Sequence, residues 1–270
     1  MTKSVSWETQ DHIATITLTD EARMNPLGDA CVAGLEQAVA QIRHEAVARV
    51  LILTARGRGF SVGADLAEYR RRIDDPAQRA VLGPYVGELM ARMNQIILDL
   101  KALPIPVVCA VNGVAAGGGA GLALAGDLVI AARSAYFYLP FVPALGAVPD
   151  MGLSWLLPRG LGRTRALGLA LTGEKLSAAR AHEWGLIWSC VEDEDLPAEA
   201  MKLARRLAAM PPQAIQEARA IFDAAEANDL GAQLAMERSR QMLMVQTDAF
   251  AEGVRAFSER RAPDFWSLRG

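Results

Sequence analysis

Two glycine-bearing loops are the segments of this 270-residue chain best suited to chemistry: Phe60-Ser61-Val62-Gly63-Ala64-Asp65-Leu66 and Asn112-Gly113-Val114-Ala115-Ala116-Gly117-Gly118-Gly119. Each follows a short apolar run and opens a helical pattern. Backbone N–H groups at the start of a helix have no intrahelical partner and lie at the positive end of its dipole. Two such groups aimed at one point suit an oxygen that gains negative charge during a reaction. Glycine lets the backbone turn sharply and lets a ligand come close. The same glycines would equally serve close helix packing, and the loops alone leave both readings open. The third candidate is Asp150 in Val148-Pro149-Asp150-Met151-Gly152. A lone carboxylate in an apolar pocket has a raised pKa and can carry a proton. An aspartate just ahead of Leu153-Ser154-Trp155-Leu156 is also a good helix N-cap, so this residue too has two readings.

Several other constellations are missing. His12, His44 and His182 are scattered with no HxxxH spacing, which argues against a metal site. There is no GxSxG elbow. The cluster from Gly117 to Gly121 lacks the Gly-Lys-Ser/Thr of a phosphate loop, and Leu122 breaks the dinucleotide pattern GxGxxG. Cys31, Cys109 and Cys190 form no CxxC pair and read as reduced thiols, which fits a cytoplasmic protein. A net charge of -3 speaks against nucleic acid or a membrane surface as partner. Met1 to Gln10 has no apolar signal segment, and the longest apolar stretch, Gly113 to Ala125, is too short and glycine-rich to span a bilayer.

The elements that must position these residues alternate. Val5 to Glu8 and Ile13 to Leu18 read as a hairpin turning at Asp11-His12. A helix capped by Asp29 follows, with Val32, Leu35, Val39 and Ile42 on one face. Val50 to Thr54, Val107 to Val111 and Leu128 to Ala132 are short apolar runs of the kind that form buried parallel strands. Helices are expected from about Asp65, over Leu82 to Leu103, and through Leu124. Strand, glycine loop and helix thus recur, which predicts an α/β fold. From Pro197 only helical periodicity remains: Met201 to Met210, Ala214 to Ala225, Leu230 to Met244 and Ala249 to Arg261. The division expected is a core over 1-196 and a helical region over 197-270. Trp155, Trp184 and Trp188 read as core, and Asp127 as a buried structural acid.

FSVGADL followed by NGVAAGGGAGLALAGD resembles the crotonase superfamily, the enoyl-CoA hydratase/isomerase family. The resemblance extends over Asn25-Pro26-Leu27, Leu145 to Gly152, Ala181 to Trp188 and Phe257 to Phe265. It implies a spiral of ββα turns, a C-terminal helical region that packs trimers or hexamers, and acyl-CoA substrates with no cofactor beyond the coenzyme A they carry. It places the two N–H donors at Ala64 and Gly118, with Asp65, Leu66 and Gly117 beside them. It also places Phe257 and Arg260 near coenzyme A across a subunit boundary, and Arg23, a basic residue just before Asn25, is a further candidate for a coenzyme A phosphate. Family hydratases use two glutamates, whose positions correspond here to Gly121 and Val142, so both carboxylates are missing. Family isomerases often carry an aspartate at the position of Asp150. The text PDMGLSWLLPRGLG looks most like the ring-1,2-epoxyphenylacetyl-CoA isomerase branch. The expectation is an isomerase using Asp150, with a hydratase or hydrolase of the same family, or a non-catalytic acyl-CoA binder, as alternatives.

Overall fold

A computed structural model describes residues 4–268. The chain opens with strands β1 (Val5–Gln10) and β2 (Ile13–Leu18), an antiparallel hairpin in which Gln10 faces Ile13. Asp11 and His12 form its two-residue turn, both at positive φ (49° and 61°). That conformation gives a tight turn the twist of its flanking strands. Helix α1 (Asp29–Glu45) buries Cys31, Val32, Leu35, Ala38, Val39 and Ile42 on one face. Its N-cap is Gly28, so Asp29 begins the helix rather than capping it.

The chain then spirals. The first turn holds β3 (Val50–Ala55), β4 (Gly59–Ser61) and helices α2 (Leu66–Asp74), α3 (Pro76–Ala80) and α4 (Leu82–Lys101). The second holds β5 (Val107–Val111), β6 (Val114–Ala116) and α5 (Gly118–Ala123). The third holds β7 (Leu128–Ala132), β8 (Tyr136–Tyr138), a π turn over Phe141–Leu145, and helices α6 (Leu153–Leu161) and α7 (Arg163–Thr172). After β9 (Leu176–Ser177), α8 (Ala178–Glu183) and β10 (Ser189–Val191), the chain ends in α9 (Leu196–Ala208), α10 (Pro212–Ala225), α11 (Leu230–Met244) and α12 (Asp248–Ser258).

Each turn gives its first strand to one sheet and its second to another. The six-stranded sheet runs β1-β2-β3-β5-β7-β10, all parallel apart from the opening hairpin. The four-stranded sheet runs β4-β6-β8-β9, parallel until β9. Every residue of β5 is buried. A parallel strand covered on both faces needs apolar side chains at consecutive positions, not alternating ones. Leu53, at the centre of β3, is fully buried, and truncating such a side chain to alanine costs about 2–5 kcal/mol. Burial pushes the Cys31 and Cys109 thiols up to about 12, so both stay neutral.

The four C-terminal helices divide unequally. Helix α9 lays Leu196, Ala200, Ala204 and Ala208 into the core, the alanines at four-residue spacing on one face. Helices α10 and α11 bury no residue, and α12 buries only Glu252 and Ala256. Asp127 and Arg219 tie α10 to the body. The Asp127 carboxylate accepts the Val107 N–H at 2.7 Å and Arg219 Nε at 3.1 Å. Arg219 also donates to the Lys101 carbonyl at the end of α4 and to the Leu103 and Ile105 carbonyls in the connection to β5. Asp127 is thus structural, as expected, but it is exposed at the edge of the sheet and not buried. Two tryptophans depart from expectation. Trp155 and Trp188 are exposed, Trp155 lying under the Arg159 guanidinium, and only Trp184 packs against the core. The last helix stops at Ser258, short of Arg261, because Arg260 turns to φ 54°. No helix among the described residues is long and apolar enough to cross a membrane.

Candidate active site

The first loop is braced from behind by the segment before α1. Met24 and Asn25 are both left-handed (φ 58° and 55°), and Asn25 is buried. The Asn25 Nδ2 group donates to the carbonyls of Arg56 (3.0 Å) and Gly59 (2.9 Å). Its own carbonyl accepts the Ser61 hydroxyl at 2.7 Å, and that hydroxyl in turn accepts the Gly63 N–H at 3.1 Å. The Gly63 carbonyl accepts the Leu27 N–H at 2.7 Å. These bonds fix the loop at both ends. The Asn25 and Ser61 roles were missed by sequence reasoning, although asparagine ahead of a proline is a known turn signal.

Gly63 brings the two loops together. It sits at φ 81°, and a Cβ there would lie 2.6 Å from the Ala116 carbonyl oxygen and 3.1 Å from the Gly118 nitrogen. Only a glycine accepts both the angle and the contact. The second loop is seated by its other neighbour, since the Gly117 N–H donates to the Tyr138 carbonyl of β8 at 2.9 Å. The Ala64 and Gly118 N–H groups have no acceptor among the described residues. The three glycine and alanine positions expected at the site, Ala64, Gly117 and Gly118, therefore stand together around Gly63.

Around this pair the polar side chains are already committed. Asp65 caps α2 by accepting the Glu68 N–H at 3.3 Å, and its other oxygen accepts Arg23 Nη1 at 2.7 Å. Arg23 also pairs with Asp20. Asp65 is thus a cap and an ion-pair partner, not a free ligand group. Leu66 is the first residue of α2 and half exposed. Glu68 is held by Arg71 and Arg72.

Asp150 is not a helix cap. The N-cap of α6 is Gly152, in the left-handed region, and no side chain caps that helix. Asp150 contributes only its carbonyl there, accepting the Leu153 N–H at 3.0 Å. One carboxylate oxygen is buried with no hydrogen-bond partner. Burial pushes the group up to about 6. The next residue, Met151, packs against Gly118: a Cβ at Gly118 would meet the Met151 Cγ at 3.1 Å. The carboxylate is therefore one residue from direct contact with a donor position. Tyr69 on α2 belongs to the same surroundings and was not anticipated. Burial raises its phenol, and the negative charges of Asp150, Asp29 and Asp65 raise it further. It lies one helical turn beyond Asp65, and that spacing is its one signal in the sequence.

The remaining expected residues are not joined to this cluster. Val142 lies on the π turn and lines an apolar groove of about 290 Å³ with Pro149, Leu153 and Leu171. Phe257 is 88 % exposed and lines a cavity of about 560 Å³ between α10, α11 and α12. Neither Phe257 nor Arg260 reaches the loops through a hydrogen bond, ion pair or shared cavity wall. Among the described residues, no group of three His, Cys, Asp or Glu is placed to hold a metal ion. Chemically, the cluster offers two N–H donors without an acceptor, on loops that touch, and one carboxylate pushed up to about 6 by burial. That set can polarise a carbonyl and move a proton beside it.

Comparisons with known proteins converge on one family. Residues 8–267 match the family model described as enoyl-CoA hydratase/isomerase. The chain is 45% identical over 253 residues to the 1,2-epoxyphenylacetyl-CoA isomerase of Escherichia coli, covering 94% of each. It is 40% identical over 262 residues to a "probable enoyl-CoA hydratase" of Rhodobacter capsulatus, covering 97% of each. The crystal structure of an enoyl-CoA hydratase from Polaromonas superposes with a TM-score of 0.88 at 30% identity, over 96% of this chain and 98% of that one.

Proposed function

The chain belongs to the enoyl-CoA hydratase/isomerase family, and from that premise we propose that it isomerises an acyl-CoA thioester, with Asp150 as proton carrier and the Ala64 and Gly118 N–H groups as an oxyanion hole. The carrying observation is the buried, unpartnered Asp150 oxygen on the segment whose next residue, Met151, packs against Gly118. On a 3-enoyl thioester the sequence of events is balanced without a co-reactant. Asp150 takes a proton from the α-carbon, and that C–H electron pair becomes the double bond between the α-carbon and the carbonyl carbon of a dienolate, as the carbonyl π pair moves to its oxygen. The α,β double bond forms only when the β,γ pair later takes the proton. Negative charge gathers on the thioester oxygen, where the two N–H groups meet it. The dienolate then takes the proton back at the γ-carbon, giving the 2-enoyl isomer. A carboxyl titrating near 6 suits both halves, because neither giving nor taking the proton is steeply uphill.

Hydration is the competing reading, and relatives named as hydratases keep it in view. It calls for a second carboxylate, and the position that would carry one is Gly121. The substrate suggested by the E. coli relative is the ring epoxide of phenylacetyl-CoA. The apolar faces of α10 to α12 support assembly into trimers or hexamers, with Phe257 and Arg260 brought to a neighbour's coenzyme A in that assembly. The deciding experiment is a panel of 3-enoyl-CoA, 2-enoyl-CoA in water, and the aryl epoxide thioester. Isomerisation of at least one member is expected, with Asp150→Asn slower by about 100-fold or more. Full activity of Asp150→Asn would remove Asp150 from the mechanism. Binding of acyl-CoA with no turnover of any member would make the protein a binder.

A further inference from the structure

Met151 carries more constraint than a connecting residue requires. It is a non-glycine residue at φ 51°, a conformation that costs roughly 1 kcal/mol or more, and Gly152 follows at φ 76°. Its side chain is buried. A Cβ added at Gly121 would lie 2.4 Å from the Met151 Cβ and 2.5 Å from its carbonyl oxygen. Positions 118 and 121 are three apart on α5 and share one face of it, so the short helix holds Met151 at two points. We propose that Met151 is a positioning residue: wedged between Gly118 and Gly121, it sets where the Asp150 carboxylate stands relative to the donor pair, and Gly121 is the gap that admits it. The inference rests on the role proposed for Asp150. It has a consequence for reaction choice. A side chain at 121 and the Met151 turn exclude each other sterically, so a glutamate placed there displaces Asp150 rather than joining it.

The test compares Met151→Leu, Met151→Gly and Gly121→Ala with the native chain and with Asp150→Asn. Two readouts are taken: kcat and KM on a 3-enoyl-CoA, and the titration of Asp150 followed by NMR on aspartate labelled at the carboxyl carbon, assigned by its loss in Asp150→Asn. Met151→Gly and Gly121→Ala are expected to lower kcat by at least about 10-fold with KM within about twofold, the signature of a misplaced group. Both are also expected to move the Asp150 midpoint from about 6 toward the ordinary aspartate range, while Met151→Leu stays near native in both. Unchanged kcat and midpoint in those two variants, with only thermal stability lowered, would overturn the inference. If Gly121→Ala does not fold, Met151→Gly decides alone, since glycine relieves the left-handed backbone. If the 3-enoyl-CoA is not turned over, the titration decides alone. Full turnover by Asp150→Asn would instead sink the proposed function, while the titration would still report whether Met151 holds the turn.

Discussion

At Asp150 a carboxyl group is held where its charged form is poorly solvated. The native state therefore binds the proton more tightly than the unfolded chain does: about 6 against an ordinary 3.8. The sign follows from linkage. The stabilising effect of the tighter proton is full below about pH 4 and is lost as pH rises through 6. Above pH 6 the ionised group strains the fold. Asp150→Asn is thus expected to raise stability at pH 7.5 by about 2 kcal/mol, the gain vanishing near pH 4. Denaturant melts at the two pH values measure this directly, and an Asn variant less stable than native at pH 7.5 would contradict it. Activity should run the other way. A base must be ionised, so kcat/KM of the native enzyme should fall about tenfold per pH unit below about 6. A flat profile down to pH 5 would rule out Asp150 as the base. The acid was visible in the sequence as an isolated carboxylate in apolar text, but whether it capped α6 was not. That depended on Met151 adopting a left-handed conformation, which methionine rarely does.

Among the described residues, Arg219 makes the most extensive polar tie between α10 and the body. It satisfies the Lys101 carbonyl that ends α4 and the Leu103 and Ile105 carbonyls beyond it, and pairs with Asp127, which itself anchors β5. A helix C-terminus favours a cation, and several charged hydrogen bonds are lost together when it is removed. Arg219→Ala should cost about 2–3 kcal/mol. Hydrogen exchange should show protection lost first in α10, and a loss spread evenly over the sheet would argue against this local role. The legible elements were those with strong internal pattern. Val107 to Val111 and Leu128 to Ala132 are five-residue apolar runs, and the structure has strands at those bounds. The second sheet was invisible. Gly59–Ser61, Val114–Ala116 and Tyr136–Tyr138 are three residues each, too short for periodicity, and their pairing partners lie in other turns of the spiral. The Gly121–Met151 contact was hidden for the same reason, because its two sides are far apart in the chain.

For the whole molecule, the bare faces of α10 to α12 matter most. Phe222 is 78 % exposed and Leu230 74 %, an arrangement that a lone chain in water does not favour. The native mass should be three or six times 29.0 kDa by light scattering. The melting temperature should rise with protein concentration, as linkage to assembly demands. Phe222→Glu should yield smaller species, and a native monomer would refute the assembly reading. The sequence showed the helices but not their emptiness, since their apolar residues read equally well as facing the chain's own core. One further consequence lies in how Gly63 rests against Gly118. The two donor loops touch, so they keep their spacing as a rigid pair, while Asp150 arrives on a separate segment. On the proposed reading, recognition and reactivity are thereby inherited separately. Mutational drift at Pro149 and Asp150 can explore new fates for the same bound thioester while the touching loops keep the grip on its carbonyl.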